Sequence, residues 1–592
     1  MPDPQQLSAT IKDNNQVKDD DAAIDHLINE LGKFESEPDD EGEAVSEITD
    51  YANKADLEYL IKDNVFIDNP SSTWHFAKKA TVISPTSLKG VINAVKYAEQ
   101  KNLRIHGIGS RHSYSSVTST DHCYIDLARS FKYSRSHHDQ TVKTIDQQSL
   151  NLLKNGLDKN KYFDVPGGMY IHMINHVLCP DNNAETAQFG HKRMYNMGGG
   201  DVQSFAGAFS TGTHGSGGKY SAYHDMVRSI VVVAAEGKVY RVEPSEGFTS
   251  PDKHDAFYQQ NPILIKPELI HDDDKFYSLL VSMGCFGIIY SAIIEVAEMT
   301  LLYEETTYYK SGWNDQLKEK FKKPILPEDP DDELFYYVQV NPYKLNRKKN
   351  NSVLIKVAKP TKIPGAAKRE NRRNLWPSVF ANCGLSTRVI RSLANSGDFP
   401  KRRFIESALK SRNDNRNKGN GYADLAYKIW NGGNGKLISF GTAMEVAFPV
   451  EQVPEVMELI FATLEVLGKM GRGYCLNAPI ALRFVRPSKA YLAPNYGTYE
   501  GQEIKEWCYV EIIRVNANDP EIDKKELEIF QHFQQMLFLK GGRPHWGLNF
   551  RFNFTPDIVQ KLYPKFDKWK EAYSFFNQTG VFGNEFSRSI GM

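Results

Sequence analysis

The stretch "LRIHGIGSRHSYSSV", residues 103–117, decides how this chain is read. Its apolar start, Leu103 to Ile108, reads as a short strand. Gly107, Gly109 and Ser110 then let successive backbone N–H groups turn inward, forming a concavity suited to phosphate oxygens. A histidine, His112, stands in the same loop. The segment has neither the G-x-G-x-x-G of a Rossmann turn nor the Gly-Lys-Ser/Thr of a P-loop. On spacing alone a tight structural turn accounts for it as well as a ligand loop does. A pyrophosphate here requires a different dinucleotide fold.

Working outward, "ATVISPTS" (80–87) reads as a strand and turn, with Ser87 as N-cap of a helix carrying Leu88, Val91, Ile92, Val95 and Ala98 at helical spacing. "CYIDLARSF" (123–131) supplies the next strand, so the order is strand, helix, strand, glycine loop, strand. Further on, "IVVVAAEGKVYRVE" (230–243) predicts a hairpin about Glu236-Gly237, and "GCFGIIYSAIIEV" (284–296) another β-rich run. Beyond residue 300, Glu455–Leu467 and Lys524–Leu539 have helical spacing, separated by the β-like "YCLNAPIALRFV" (474–485) and "WCYVEIIRV" (507–515). The polar, glycine-rich 315–435 stretch, with "KRENRRN", "KSRNDNRNKGNG" and "NGGNG", reads as an insertion or lid, and no internal repeat is found.

The chain has 592 residues, enough for two to three domains, with 41% hydrophobic residues, 12% aromatics and a net charge of -1. That balance excludes a globally basic nucleic-acid binder, and the local basic runs read as solvated surface. Residues 1–69, with "ESEPDDEGEAVSE", read as an acidic tail in which "AAIDHLINELGKF" (22–34) is the one helix candidate. Six scattered cysteines, Cys123, Cys179, Cys285, Cys383, Cys475 and Cys508, and no secretory or membrane-spanning run predict an intracellular, cytoplasmic-type protein without a transmembrane segment.

A second cluster, "GGGDVQSFAGAFSTGTHGSGG" (198–218), alternates glycines with hydroxyl residues. Phe205, Ala206, Ala208 and Phe209 are wrong for a solvated linker, so a packed binding loop is expected. His112, His122, His137, His138, His214 and His224 show neither H-E-x-x-H nor Cys/His ligand spacing, and no metal site is expected.

"RIHGIGSRHSYSSV", "QSFAGAFSTGTHGSG" and the later "GGRPHWG" (541–547) together resemble the vanillyl-alcohol-oxidase-type, or PCMH-type, FAD-binding oxidoreductases, nearest the sugar-lactone oxidase and alditol oxidase branch. The resemblance covers about 74–300 and 440–592. It implies an α+β fold with an FAD-binding domain at 70–300 and a substrate domain at 301–592. It implies FAD, wrapped by Gly107, Ile108, Gly109, Ser110, Arg111, His112 and Ser113, with a covalent bond from His112 to the flavin. Gln203, Ser204, Gly207, Thr211, Gly212, Thr213, His214 and Gly215 would line the other side, with Gly284, Gly287 and Ile289 at a further close approach. Some relatives add a cysteinyl bond, but Cys179 lies before the second glycine loop and reads as structural. The closing "VFGNEFSRSIGM" (581–592) would fold back towards the cofactor.

The implied activity is FAD-dependent oxidation of a CH–OH group in a sugar lactone, polyol or related alcohol, with O2 as acceptor and H2O2 as product. A dehydrogenase with another acceptor is the alternative. Arg483 is the first catalytic candidate, as a fixed charge able to donate two hydrogen bonds to an oxygen. His545 follows as acceptor of the alcohol proton, with Glu445 and Asn549 secondary and Trp546 shaping the site. Two positions depart from the branch: relatives place a Glu-x-Arg pair where this chain has Ala481 and Arg483, and a lysine where it has Leu548. Losing both members of a charge pair is electrostatically consistent. It implies a less polar pocket for a bulkier or less hydroxylated alcohol, or a flavin-binding protein with weakened or lost catalysis.

Overall fold

The computed structural model describes residues 52–69, 75–120, 122–130, 147–181, 190–309, 311–344, 350–362, 398–414, 422–430, 441–470, 474–515 and 520–592. The helix candidate at 22–34, the "KRENRRN" run and "NGGNG" lie outside them.

Three sheets organise these residues. In the first, strands Ala52–Lys54, Tyr59–Asp68, His75–Pro85, Cys123–Asp126 and Ile105–Ile108 lie side by side in that order. His75–Pro85 and Ile105–Ile108 both run parallel to Cys123–Asp126 between them, and helix Leu88–Gln100 connects the first to the second. Ser87 caps that helix, its side chain accepting from the Gly90 N–H, and Val91, Ala94, Val95 and Ala98 form the buried stripe. Residues 52–68, expected as tail, instead form two of the strands. Tyr59, Val65 and Ile67, spaced at even intervals, are the buried positions of the longer strand, a pattern the acidic composition upstream obscured.

The second sheet orders strands Glu268–His271, Val239–Glu243, Val227–Val233, Ile288–Glu295 and Tyr162–Pro166. Its hairpin turns through Glu236 and Gly237, both at positive φ, as the sequence pattern predicts. Glu243 ends a strand and organises the turn after it. Its carboxylate accepts from the Phe248 N–H (2.6 Å), the Thr249 N–H (2.7 Å) and the Thr249 hydroxyl (2.6 Å), and faces His271 Nε2 at 3.2 Å. Burial alone would raise this carboxyl, but the His271 and Thr249 contacts hold it down at about 2. A depressed carboxyl stabilises the fold above its unfolded value and ceases to as pH falls through the folded one. Glu243→Gln is therefore expected to cost about 3 kcal/mol at neutral pH and nearly nothing at pH 2, which denaturant titrations at a series of pH values would check.

The third sheet has eight strands in the order Tyr422–Leu425, Leu301–Tyr309, Val353–Thr361, Phe335–Val340, Ile480–Val485, Trp507–Val515, Gly441–Pro449 and Arg543–Pro544. Helices Val453–Leu467 and Pro520–Leu539 pack within its core. The 315–435 stretch is thus not a simple insertion, because Phe335–Val340 and Val353–Thr361 lie inside this sheet. Their buried faces, with Val338, Val340, Val353 and Ile355, were outweighed in the sequence by the polar runs downstream.

Two sets of contacts fix the site. The Gly217 N–H donates to the Phe484 carbonyl (2.6 Å), and the Phe484 N–H to the Ser216 hydroxyl (2.9 Å), docking the second glycine loop on the third sheet. The C-terminal segment does fold back: the Ile105 N–H donates to the Val581 carbonyl (2.9 Å), and the Asn584 amide to the Val117 carbonyl (2.7 Å).

Candidate active site

An open cleft runs where the His112 loop faces the second glycine loop. Gly107, Ile108, Gly109, Ser110, Arg111, His112 and Ser113 line one wall. Gln203, Ser204, Gly207, Thr211 and Thr213 line another, and Gly284, Gly287 and Ile289 a third. The close approaches are steric requirements. A Cβ at Gly109 would overlap the Ser204 hydroxyl, and Gly287 holds φ 144° with the Val233 carbonyl against it. Arg111 turns the loop at φ 63°. Gly212, His214 and Gly215 do not reach the cleft wall: Gly212 packs on Pro494, and Gly215 is pressed by Asn196. Sequence reasoning missed Gly167 and Gly168, which also line the cleft, although the "VPGG" turn after a strand was their signal.

His112 is half-buried in the cleft wall, with Nδ1 2.8 Å from the Ser110 hydroxyl. Burial and then the neighbouring Arg111 charge push it down to about 4, so the ring is neutral at physiological pH. Cys179 does not line the cleft; it is buried beside Met299, Leu301 and Leu425, donating to the Asp181 carbonyl at 3.1 Å.

The "HWG" turn closes the cleft beside His112. The Tyr114 N–H donates to the Gly547 carbonyl (2.9 Å), and the Ser115 hydroxyl to the Trp546 carbonyl (2.6 Å). Trp546 is fully buried, its indole N–H donating to the Leu492 carbonyl, and it shapes the site from behind. His545, Gly547 and Leu548 line the cleft directly. Asn549 does not: its carboxamide meets Gln534 (3.1 Å) and Thr442 (3.4 Å), so the secondary catalytic role expected of it is withdrawn.

Behind His545 lies a buried polar cluster. His214 stacks on Tyr509 at 3.7 Å, with Nδ1 2.8 Å from the Gly215 carbonyl and Nε2 3.1 Å from Glu445 Oε2. Both ring nitrogens face acceptors, so the pair holds two protons, one on Nδ1 and one between Nε2 and Oε2. Burial alone would raise the Glu445 carboxyl; the His214 charge and hydrogen bond outweigh it and carry the group well down. Glu445 Oε1 is buried with no hydrogen-bond partner.

His545 accepts at Nδ1 from the Gly547 N–H (3.1 Å), and burial above all pushes it down to about 4. Neutral His545 therefore carries its proton on Nε2 and acts as a donor, which corrects the expectation that it takes the alcohol proton. The nearest ligand atoms of His214, Glu445 and His545 lie within 4.8 Å of one another, a set able to hold a metal. Sequence spacing could not reveal that grouping, because the three come from separate segments. His214 and Glu445 are already directly hydrogen-bonded, and the cluster reads more simply as a proton-holding network.

Arg483 completes it. Its Nη2 meets Glu511 Oε2 at 2.9 Å, and Glu511 lies directly opposite both Ala481 and Glu445 on the flanking strands. The cluster is thus strongly polar, but it lies behind the cleft wall, which of its members only His545 lines directly.

Known proteins place this geometry. The FAD binding domain profile matches residues 80–243, and the D-arabinono-1,4-lactone oxidase profile matches 350–590. Together the two matches support a PCMH-type FAD-binding oxidoreductase of the sugar-lactone oxidase branch. This flavoprotein is 22% identical to the L-gulono-1,4-lactone dehydrogenase of Mycobacterium tuberculosis over 518 residues, 86% of this chain and 96% of that one. It is likewise 22% identical to the D-arabinono-1,4-lactone oxidase of Yarrowia lipolytica, over 86% and 94%. Its fold resembles cholesterol oxidase from B. sterolicum, with a TM-score of 0.64 at 12% identity over 92% of this chain and all of that one. The flavoprotein is an FAD-linked oxidoreductase acting on CH–OH donors. The cleft fits FAD: its wall at Gly109 leaves no room for a side chain against Ser204, and the buried Gln203 Oε1, with no partner, offers an acceptor there. Among the described residues no helix is long and apolar enough to cross a membrane.

Proposed function

We propose that the protein oxidises a ring or chain CH–OH of a sugar lactone and passes the electrons to O2, with H2O2 as product. The observation that carries this reading is the cluster of buried Glu445, His214 and His545 with partly exposed Arg483 beside the glycine-walled cleft. FAD, when bound, accepts the hydride from the CH–OH carbon. Arg483, permanently charged, donates to the substrate oxygen as negative charge grows on it. His545 Nε2–H is a second donor at the cleft wall. Glu445 Oε1, partnerless and buried, receives the hydroxyl proton while Oε2 stays on His214.

We read His112 as the covalent anchor of the flavin, supported by its place in the cleft wall and by burial that keeps its ring neutral and nucleophilic. Acid precipitation of the purified protein is expected to carry flavin into the pellet. His112→Ala should move at least nine-tenths of it to the supernatant, roughly a tenfold change; wild-type flavin in the supernatant would remove the bond from the account. The acceptor is tested with an oxygen electrode and a panel of sugar lactones and polyols. Lactone-dependent oxygen uptake with matching peroxide is expected, while turnover only with an artificial dye would identify a dehydrogenase.

A further inference from the structure

We propose that Glu511 is the positioning residue for Arg483, supplying from the neighbouring strand the carboxylate that position 481 lacks. The inference rests on the reading of Arg483 given above. In the register of the third sheet, Gln339, Ala481, Glu511 and Glu445 form one row across four adjacent strands, and Tyr337, Arg483 and Tyr509 form a second row two residues along. Side chains two residues apart share a face, so Arg483 and Glu511 meet diagonally across the two strands, at 2.9 Å. A carboxylate on residue 481 would stand on this same face and reach Arg483 along its own strand. Ala481 cannot serve, and Glu511, one strand over in the same row, does.

The arrangement is costly unless it does something. Glu511 and Glu445 are direct cross-strand neighbours, both buried, and like charges so placed repel. Arg483 answers the first and His214 the second. Burial by itself disfavours the Arg483 charge, but Glu511 and then Glu445 more than restore it and raise the group above its ordinary value. Glu511 itself is raised, burial and Glu445 outweighing Arg483. An apolar set of similar volume would be the more stable filling of a sheet face. Both side chains also keep some exposure, Arg483 18% and Glu511 10%, so the pair opens towards a space. A Cβ at Gly199 would come within 3.4 Å of Arg483 Nη2, and the glycine run 198–200 leaves that approach clear. Glu511 holds Nη2, and Tyr337, beside Arg483 in the same row, flanks the guanidinium with its ring centroid 5.8 Å away.

The test uses the full-length flavinated protein and measures the rate of flavin reduction by a sugar lactone under anaerobic conditions, with KM, flavin content and Tm recorded alongside. Glu511→Gln is expected to slow reduction roughly 10- to 100-fold, the scale of a misplaced reacting group, with flavin content retained and KM changed by less than about threefold. The decisive variant is the swap Ala481→Glu with Glu511→Gln, which returns the carboxylate to the arginine's own strand and is expected to recover most of the rate. A wild-type rate in Glu511→Gln, where Arg483→Ala is slow, would overturn the proposal and leave the Arg483 reading intact. A wild-type rate in Arg483→Ala as well would overturn both. If Glu511→Gln fails to fold, the swap alone decides. A folded swap that reduces its flavin supports the positioning role; one that regains Tm and flavin but not rate assigns Glu511 to structure only.

Discussion

Arg483→Ala is expected to lower the rate of flavin reduction by roughly 10²–10³-fold, the loss seen when one donor to a developing oxyanion is removed. The arginine sits on the inward face of a central strand, with Glu511 at 2.9 Å and Glu445 adding to the field that keeps it charged. Within the cluster Arg483 is the permanently charged donor, since neutral His545 donates only one N–H. Arg483→Lys should recover part of the rate, because a point charge replaces a planar fork. Single-turnover absorbance traces without oxygen would check both, with flavin content as the control. Because Arg483 does not line the flavin cleft itself, that content is expected to stay at the wild-type level.

Gly109→Ala is expected to abolish most FAD binding and to destabilise the fold by about 1–3 kcal/mol, the cost of overpacking a filled interior. The added Cβ would overlap both the hydroxyl and the Cβ of Ser204 at the start of helix Phe205–Ser210, so either the His112 loop or that helix must move. Either movement opens the cleft wall that FAD requires. The Ser204 side chain makes no capping hydrogen bond, so Ser204→Gly removes the obstruction at small cost. The double variant Gly109→Ala with Ser204→Gly should regain much of the flavin, measured as the ratio of flavin to protein absorbance. A single Gly109→Ala protein that binds FAD normally would show that the two loops do not form one site.

The nucleotide half of this account was legible in the sequence because its chemistry is local. A strand ending in Gly107, Gly109 and Ser110 states its own geometry, and Ser87 announces its helix. The active face was legible only in part, because its members meet through strand register. Ala481 taken alone suggests a missing carboxylate; Ala481 opposite Glu511 shows one moved across a strand. The signal was a charged residue inside the buried strand "WCYVEIIRV", and its partner could not be known before the pairing was. His545 shows the same limit from another side. Its residue type permits a base, but the Gly547 N–H on Nδ1 makes it a donor. Strands 335–340 and 353–361 were hidden by the polar runs downstream, although both pair inside the third sheet and the first is buried at every position but Tyr337.

The central claim is that this cleft carries flavin chemistry on a sugar-lactone CH–OH. The most direct measurement is to mix the purified, flavin-loaded protein anaerobically with L-gulono-1,4-lactone and D-arabinono-1,4-lactone and follow the flavin's visible absorbance. The account predicts bleaching by at least one of them at a rate that saturates with concentration, and recovery of the oxidised spectrum when air is admitted. A flavin that stays oxidised with both, in a protein that holds a full complement of FAD, would contradict it.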